Sequence, residues 1–255
     1  MIVLIRKKSL VRWIGLCCLC AVLFFTVQQG REKLDFSACS NHCIGNTLYT
    51  IALDAGHGGE DGGAVSADGT RESQLNLEIA VRVRDLFLLT GQPVQMIRKD
   101  DRSLDNGEGT LRQRKAADLK NRVLRVNQIP NAVFISIHQN SLPSSPSTHG
   151  AQVFWNAEAG AQELAESIQD TLNVCINSER AKQPRKIPAS VYLMKHITVP
   201  GVLIECGFLS NPEETAQLKK SSHQIKLAAA IAAGYAAIAA GYLKNGSYIA
   251  EEEEP

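Results

Sequence analysis

The sequence lacks an excess of either charge: 27 Lys and Arg face 26 Asp and Glu, a net charge of +1 over 255 residues. That balance removes the electrostatic basis for a dedicated nucleic-acid binder, which presents a strongly basic face. It also lacks a disulfide framework. Of seven cysteines, Cys17, Cys18 and Cys20 crowd one apolar stretch, leaving Cys39, Cys43, Cys175 and Cys206 outside it, unlike the regular pairing of small secreted folds. There is no internal repeat. No Gly-Lys-Ser/Thr and no Gly-x-Gly-x-x-Gly spacing marks a phosphate-binding loop. What is present, 44% apolar and 21% charged residues, is the composition of a globular domain of roughly 200 residues with extensions. Disordered, collagenous and coiled-coil architectures fit poorly.

One local extreme hides in these averages. Arg6, Lys7, Lys8 and Arg12 precede Trp13 to Val27, an uncharged and mostly apolar run. A cationic flank followed by such a run reads as an export signal, and positive charge on the inner side directs the rest of the chain outward. The run is shorter than the ~20 residues of a typical spanning helix. No Ala-x-Ala site follows it and no lipobox precedes a cysteine, so residues 1–30 are read as a signal peptide or an uncleaved membrane anchor. Residues 31–47 read as a linker. Its Cys39 and Cys43 could hold a metal or close a small loop, but no second pair completes four ligands.

Organised sequence begins at Leu48. Tyr49 to Leu53 is a β-type apolar run, followed by the glycine-rich Asp54-Ala55-Gly56-His57-Gly58-Gly59-Glu60-Asp61-Gly62-Gly63. Leu75, Ile79, Val83 and Phe87 recur at helical spacing and stop before Gly91-Gln92-Pro93. Val94 to Ile97, Val133 to Ile137, Gln152 to Trp155, Val191 to Leu193 and Val202 to Ile204 read as further strands. Leu111 to Val126, Ala161 to Ile176 and Gln224 to Leu243 read as helices. The last of these is mostly alanine, which contributes little to membrane insertion, so it is assigned as a tightly packed covering helix. Glu251 to Glu254 reads as a solvated tail. Strands alternating with helices, apolar in runs rather than strictly every second residue, predict one α/β domain over 48–245. Its architecture is three-layer α/β/α with a largely parallel twisted sheet, followed by an acidic tail over 246–255.

Ligands in such sheets sit beyond the carboxyl ends of the strands. Four polar residues fall there: His57 after the first strand, Glu72 opening the first helix, His138 ending the central strand, and Glu205 after Val202-Leu203-Ile204. Two imidazoles and a carboxylate are a three-ligand zinc set with a fourth position open, and Glu205 is left as a base. Each residue has an ordinary reading as well, a structural histidine or a dipole-complementing glutamate. It is their convergence on one sheet edge that points to a metal. Asp54 is either a partner orienting His57 or a turn cap. Asn140, two residues past His138, could line a substrate groove. Asp61 reads as a solvated turn residue, Arg98 and Arg112 as surface pairs, His149, His196 and His223 as loop residues, and Cys206 as a buried thiol.

Four segments, Asp54-Ala55-Gly56-His57-Gly58-Gly59, Glu72-Ser73-Gln74-Leu75-Asn76-Leu77, Ile135-Ser136-Ile137-His138-Gln139-Asn140 and Glu205-Cys206-Gly207-Phe208-Leu209-Ser210-Asn211-Pro212, resemble in order the motifs of zinc-dependent N-acetylmuramoyl-L-alanine amidases. The resemblance spans Tyr49 to Leu243. It implies one Zn2+ held by His57, Glu72 and His138, with Glu205 as catalytic acid/base, and peptidoglycan as substrate. Two positions depart from the family pattern, Ala55 where proline is frequent and Gln139 where alanine is frequent, and neither removes a ligand. The segment Leu111 to Arg122 looks more like the germination-type, spore-cortex branch. That branch implies cooperation with a muramic acid deacetylase or another accessory protein. A zinc peptidase cutting within the stem peptide and a non-catalytic wall-associated protein are the competing readings.

Overall fold

The computed structural model describes residues 49–249, with side chains described through residue 239. The export segment, the linker and most of the acidic tail expected from the sequence lie outside the described residues.

The first strand, β1 (Thr50–Ala55), leads through the glycine-rich loop into helix α1 (Glu72–Leu89) and then β2 (Val94–Met96). Helix α2 (Leu111–Asn127) follows, opened by a capping box in which Thr110 and Gln113 satisfy each other's backbone donors. The chain continues through β3 (Ala132–Asn140), β4 (Gln152–Trp155), α3 (Ala161–Cys175), β5 (Arg185–Lys186), α4 (Tyr192–His196), β6 (Gly201–Phe208), α5 (Pro212–Leu218) and α6 (Ser221–Ile249). The six strands form one sheet in the order β2-β1-β3-β6-β4-β5. All pairs are parallel except β4 with β6.

Alternation along the buried strands sorts side chains to two faces. Ile51, Leu53, Ala55, Ile135 and Ile137 pack with Leu75, Ile79 and Val83 of α1, Leu164 and Ile168 of α3, and Leu227 and Ile231 of α6. Ala52, Phe134 and Leu203 pack instead with Val123 and Val126 of α2 and with Leu193 and Met194 of α4. Each fully buried aliphatic side chain contributes about 1.5–3 kcal/mol, so the central strands are held from both sides. The three-layer architecture expected from the sequence is therefore the one observed.

Three local expectations need correction. Val191 to Leu193 is not a strand: Val191 N–H donates to Pro188 O, and Lys195 N–H donates back to Val191 O, opening α4. A three-residue apolar run carries no periodicity that separates the two structures. The edge strand β5, Arg185–Lys186, was invisible to hydrophobic patterning because both residues are charged and exposed. β3 and β6 also run beyond their apolar segments, so His138 and Glu205 sit within strands and not past them. The alanine-rich helix behaves as expected. A Cβ at Gly234 would stand 2.6 Å from Ile168 Cα, so α6 rests directly on α3. Among the described residues no helix is long and apolar enough to cross a membrane.

Candidate metal centre

The carboxyl end of β1 passes into a loop that L-residues rarely make. His57 has a left-handed φ of 62°, and Gly58, Gly59 and Gly63 also have positive φ. Glycine costs nothing in that region, whereas a histidine there must be held. The loop turns the His57 ring back over the strand ends. Its Nε2 lies 3.3 Å from Oε1 of Glu72, the first residue of α1, and the same oxygen lies 3.0 Å from His138 Nδ1. The two imidazoles meet edge to face, with centroids 5.1 Å apart. One donor atom from each of the three residues falls within a 4.8 Å cluster.

Glu72 is rigidly set. Its Oε1 also accepts from Gln139 N–H and from Asn76 Nδ2, and its Oε2 accepts from Ala64 N–H at 2.8 Å. Burial opposes its ionisation, but the hydrogen bonds to His138 and His57 outweigh that and hold the carboxyl well below the usual carboxylate range. For His57, burial disfavours the charged ring, yet hydrogen bonds to Asp61 and Glu72 raise it to about 9. Two glycines make the approach possible. A Cβ on Gly56 would stand 2.6 Å from His138 Nδ1 and closer still to Cε1 and Nε2. One on Gly63 would run into the Glu72 carboxyl and the His57 ring.

Glu205 is delivered by strand register: it pairs with His138 across β3 and β6, just before a bulge that separates Asn140 from its expected partner. Its Oε2 is buried without a hydrogen-bond partner. Burial first, and then the charge of Glu72, push its carboxyl up to about 7 against the pull of His138, His57 and Lys182. A desolvated carboxylate titrating near neutrality beside a three-donor cluster is equipped to take and return a proton.

The four residues singled out from the sequence thus converge, but the supporting ones differ from expectation. Asp54 does not touch the His57 ring. It lies on the α2 side of the sheet, in register with Ser136, where its carboxylate accepts from Ser136 Oγ and Arg122 Nη1. The orienting carboxylate is Asp61, whose Oδ2 is 2.9 Å from His57 Nδ1. A count of acids and glycines could not distinguish it from a solvated turn. Arg98 is not a surface residue: it is 2% exposed and donates to the carbonyls of Ala55, Gly56 and Ser73. Asn140 is not hydrogen-bonded to the cluster, its Oδ1 accepting from Ser141 N–H. His196 ends α4 and His223 lies in the first turn of α6, so neither is a loop residue, and neither joins the cluster. Cys206 is buried, and burial pushes its thiol far up, consistent with an inert side chain. Asn76, Gln139 and Arg122 have no role assigned from the sequence, although Arg122 stands four residues after Asp118 on a helix, an ion-pair spacing.

The likeness to known proteins agrees with this geometry. Over 231 residues the chain is 36% identical to the germination-specific N-acetylmuramoyl-L-alanine amidase of Bacillus subtilis, covering 90% of this chain and 94% of that protein. Its fold matches the CwlD amidase of Clostridioides difficile, solved in complex with the GerS lipoprotein, with a TM-score of 0.71 and 36% identity over 77% of this chain and 99% of that one. It also matches the catalytic domain of CwlV, an N-acetylmuramoyl-L-alanine amidase from Bacillus (Paenibacillus) polymyxa, with a TM-score of 0.64 and 26% identity, over 75% of this chain and 98% of that one. The family model for N-acetylmuramoyl-L-alanine amidases matches residues 51–237, so the chain belongs to that family.

Proposed function

We propose that this protein is a zinc-dependent hydrolase of peptidoglycan that cleaves the amide between the lactyl group of N-acetylmuramic acid and L-alanine, acting in spore-cortex maturation. The observation that carries the reading is the cluster of His57, Glu72 and His138 beside an unpartnered, buried Glu205 oxygen. The donor set fits zinc. A tetrahedral ion with ligands at about 2.0–2.1 Å places its donors about 3.4 Å apart, and the observed spacings from Glu72 Oε1 are 3.3 and 3.0 Å.

When bound, zinc would supply Lewis acidity to the scissile carbonyl and lower the pKa of water. His57, Glu72 and His138 would hold it. Asp61 would fix the His57 tautomer from Nδ1, and the Gln139 and Ala64 amides would lock the Glu72 carboxylate. Glu205 would accept the proton of the attacking water on Oε2 and return it to the departing amide nitrogen, leaving the lactyl carboxylate and a free L-alanine amine. Its burial keeps the carboxyl basic enough for both transfers.

The role in the cortex is supported by the similarity to the germination-specific relative of B. subtilis, and an accessory protein is supported by the complex of the C. difficile relative with a lipoprotein. A muramic acid deacetylase would hydrolyse the N-acetyl group of this product to acetate, and the freed amine would condense with the lactyl carboxyl, losing water, to close the lactam. Export through the 1–30 segment, with or without retention as an anchor, places the enzyme with its substrate.

Mass spectrometry of digested peptidoglycan tests the reading. The expected products are muramic acid with a free lactyl carboxylate and intact stem peptides, lost on chelation and with Glu205→Gln. Shortened stems would support a peptidase, and activity undiminished in zinc-free protein would refute the metal role.

A further inference from the structure

The loop that presents His57 is gripped from beneath by two arginines. Arg122 of α2 is 1% exposed, a rare setting for a guanidinium. Its Nη2 donates to His57 O at 2.5 Å and its Nη1 to Ala55 O at 2.9 Å. Asp54 at 2.5 Å from Nη1 and Asp118 at 2.7 Å from Nε balance its charge. Arg98 donates to Ala55 O at 2.7 Å and to Gly56 O at 3.1 Å, and it ties both to Ser73 O at 2.7 Å, the residue after Glu72. Three consecutive carbonyls, those of residues 55, 56 and 57, therefore all accept from guanidinium groups. His57 needs such a hold, since it is one of two non-glycine residues with positive φ among the described residues.

We propose that Arg122 is a positioning residue for metal binding: by fixing the His57 carbonyl it sets the left-handed turn that aims the imidazole at Glu72 and His138, while Arg98 secures the two preceding carbonyls. The proposal rests on the reading of His57, Glu72 and His138 as zinc ligands. Stability alone does not explain the arrangement, because buried ion pairs are commonly replaceable by apolar residues of equal volume without loss. An apolar residue cannot donate to the His57 carbonyl. Nor can lysine reproduce the grip, because one ammonium does not span Asp118 and two carbonyls in the fixed fork of a guanidinium.

The test compares the full chain with its Arg122→Lys and Leu172→Ala variants, reading zinc affinity by competition with a chromophoric chelator and the visible spectrum of the cobalt(II)-loaded protein. Leu172 is buried in α3, away from the loop, and its truncation destabilises without touching the site. Arg122→Lys is expected to fold, to bind zinc about 10- to 100-fold more weakly and to alter the cobalt bands, while Leu172→Ala keeps wild-type affinity and spectrum. If Arg122→Lys only lowers the melting temperature and binds both metals as wild type does, the proposal is overturned and the zinc reading survives. If wild type binds no zinc, it is the zinc reading that fails. Should Arg122→Lys not fold, Asp118→Asn, which removes the charge anchoring Nε but keeps an acceptor, is expected to weaken zinc several-fold, and unchanged binding would equally overturn the proposal.

Discussion

Gly56→Ala removes no ligand and is nevertheless expected to abolish tight metal binding. The His138 ring lies against the Gly56 Cα, and a methyl there would stand 2.6 Å from Nδ1 and nearer still to two other ring atoms. An ordinary contact needs about 3.5 Å or more, so the ring, whose Cε1 would stand 2.1 Å from the methyl, must retreat by roughly 1.4 Å. Zinc sites tolerate about 0.2 Å in a ligand distance, so the shift exceeds the tolerance about sevenfold. One ligand of three is then displaced, and affinity should fall by about 100-fold or more, equivalent to about 2.8 kcal/mol. Overpacking also costs the fold about 1–3 kcal/mol, a melting decrease of roughly 2–12 °C for a domain of this size. Gly69→Ala is the control, since its φ is +86° but nothing lies within 4 Å; it should lose stability modestly and bind zinc normally. Isothermal titration of both variants decides the matter. Zinc affinity of Gly56→Ala within threefold of wild type would refute the packing argument.

Other outcomes follow from the same geometry. His57 is raised to about 9 without metal, above its ordinary 6.5, so its proton stabilises the metal-free fold fully below pH 6.5 and that stability is lost as pH climbs through about 9. Melting of chelated protein should therefore decline across this window, by about 3 kcal/mol at most, and a flat profile would contradict the assignment. Zinc must displace the same proton, so its affinity should rise about tenfold per pH unit over that range, with proton release measurable by calorimetry in buffers of different ionisation enthalpy. Glu205 must be ionised to act as base and is pushed up to about 7 by burial. The acid limb of kcat/KM should lie at or below that value, since a nearby cation lowers it, and Glu205→Gln should retain zinc while losing 10²-fold or more in kcat. Asp61→Asn should weaken zinc about 10-fold or more and leave folding intact, because the residue is partly exposed and pairs with the His57 ring through Oδ2 and with the exposed Lys115 through Oδ1.

Much of the candidate site was legible from the chain because its proposed ligands are singular polar residues interrupting apolar runs. His138 and Glu205 follow Ile-Ser-Ile and Leu-Ile within buried strands, where a polar side chain requires a reason. His57 stands in a glycine-rich loop after the first strand, and Glu72 opens the first helix. The supporting residues were not legible, since their roles depend on which face of the sheet each one reaches. Asp54 adjoins the loop in sequence but projects to the α2 side, to Arg122 and Ser136. Asp61 looks like any turn acid until the left-handed His57 brings its ring within 2.9 Å. The helix that begins at Tyr192 was equally hidden, because the short apolar run Val191 to Leu193 fits either structure.

The sequence by itself determined the layered α/β class, the covering role of the alanine-rich helix, and the four residues on which the proposed chemistry rests. These depend on local periodicity and on the chemical character of single side chains, both properties of the chain alone. Tertiary structure decided how those residues are held: the bulge that sets Glu205 beside His138, the glycine clearances at residues 56 and 63, and the arginines that bind the carbonyls beneath His57. The bulge and the arginine bonds join residues 25 to 67 positions apart, the Gly56 clearance spans 82 positions and Gly63 requires a positive φ, and neither distance nor angle is written in local residue order.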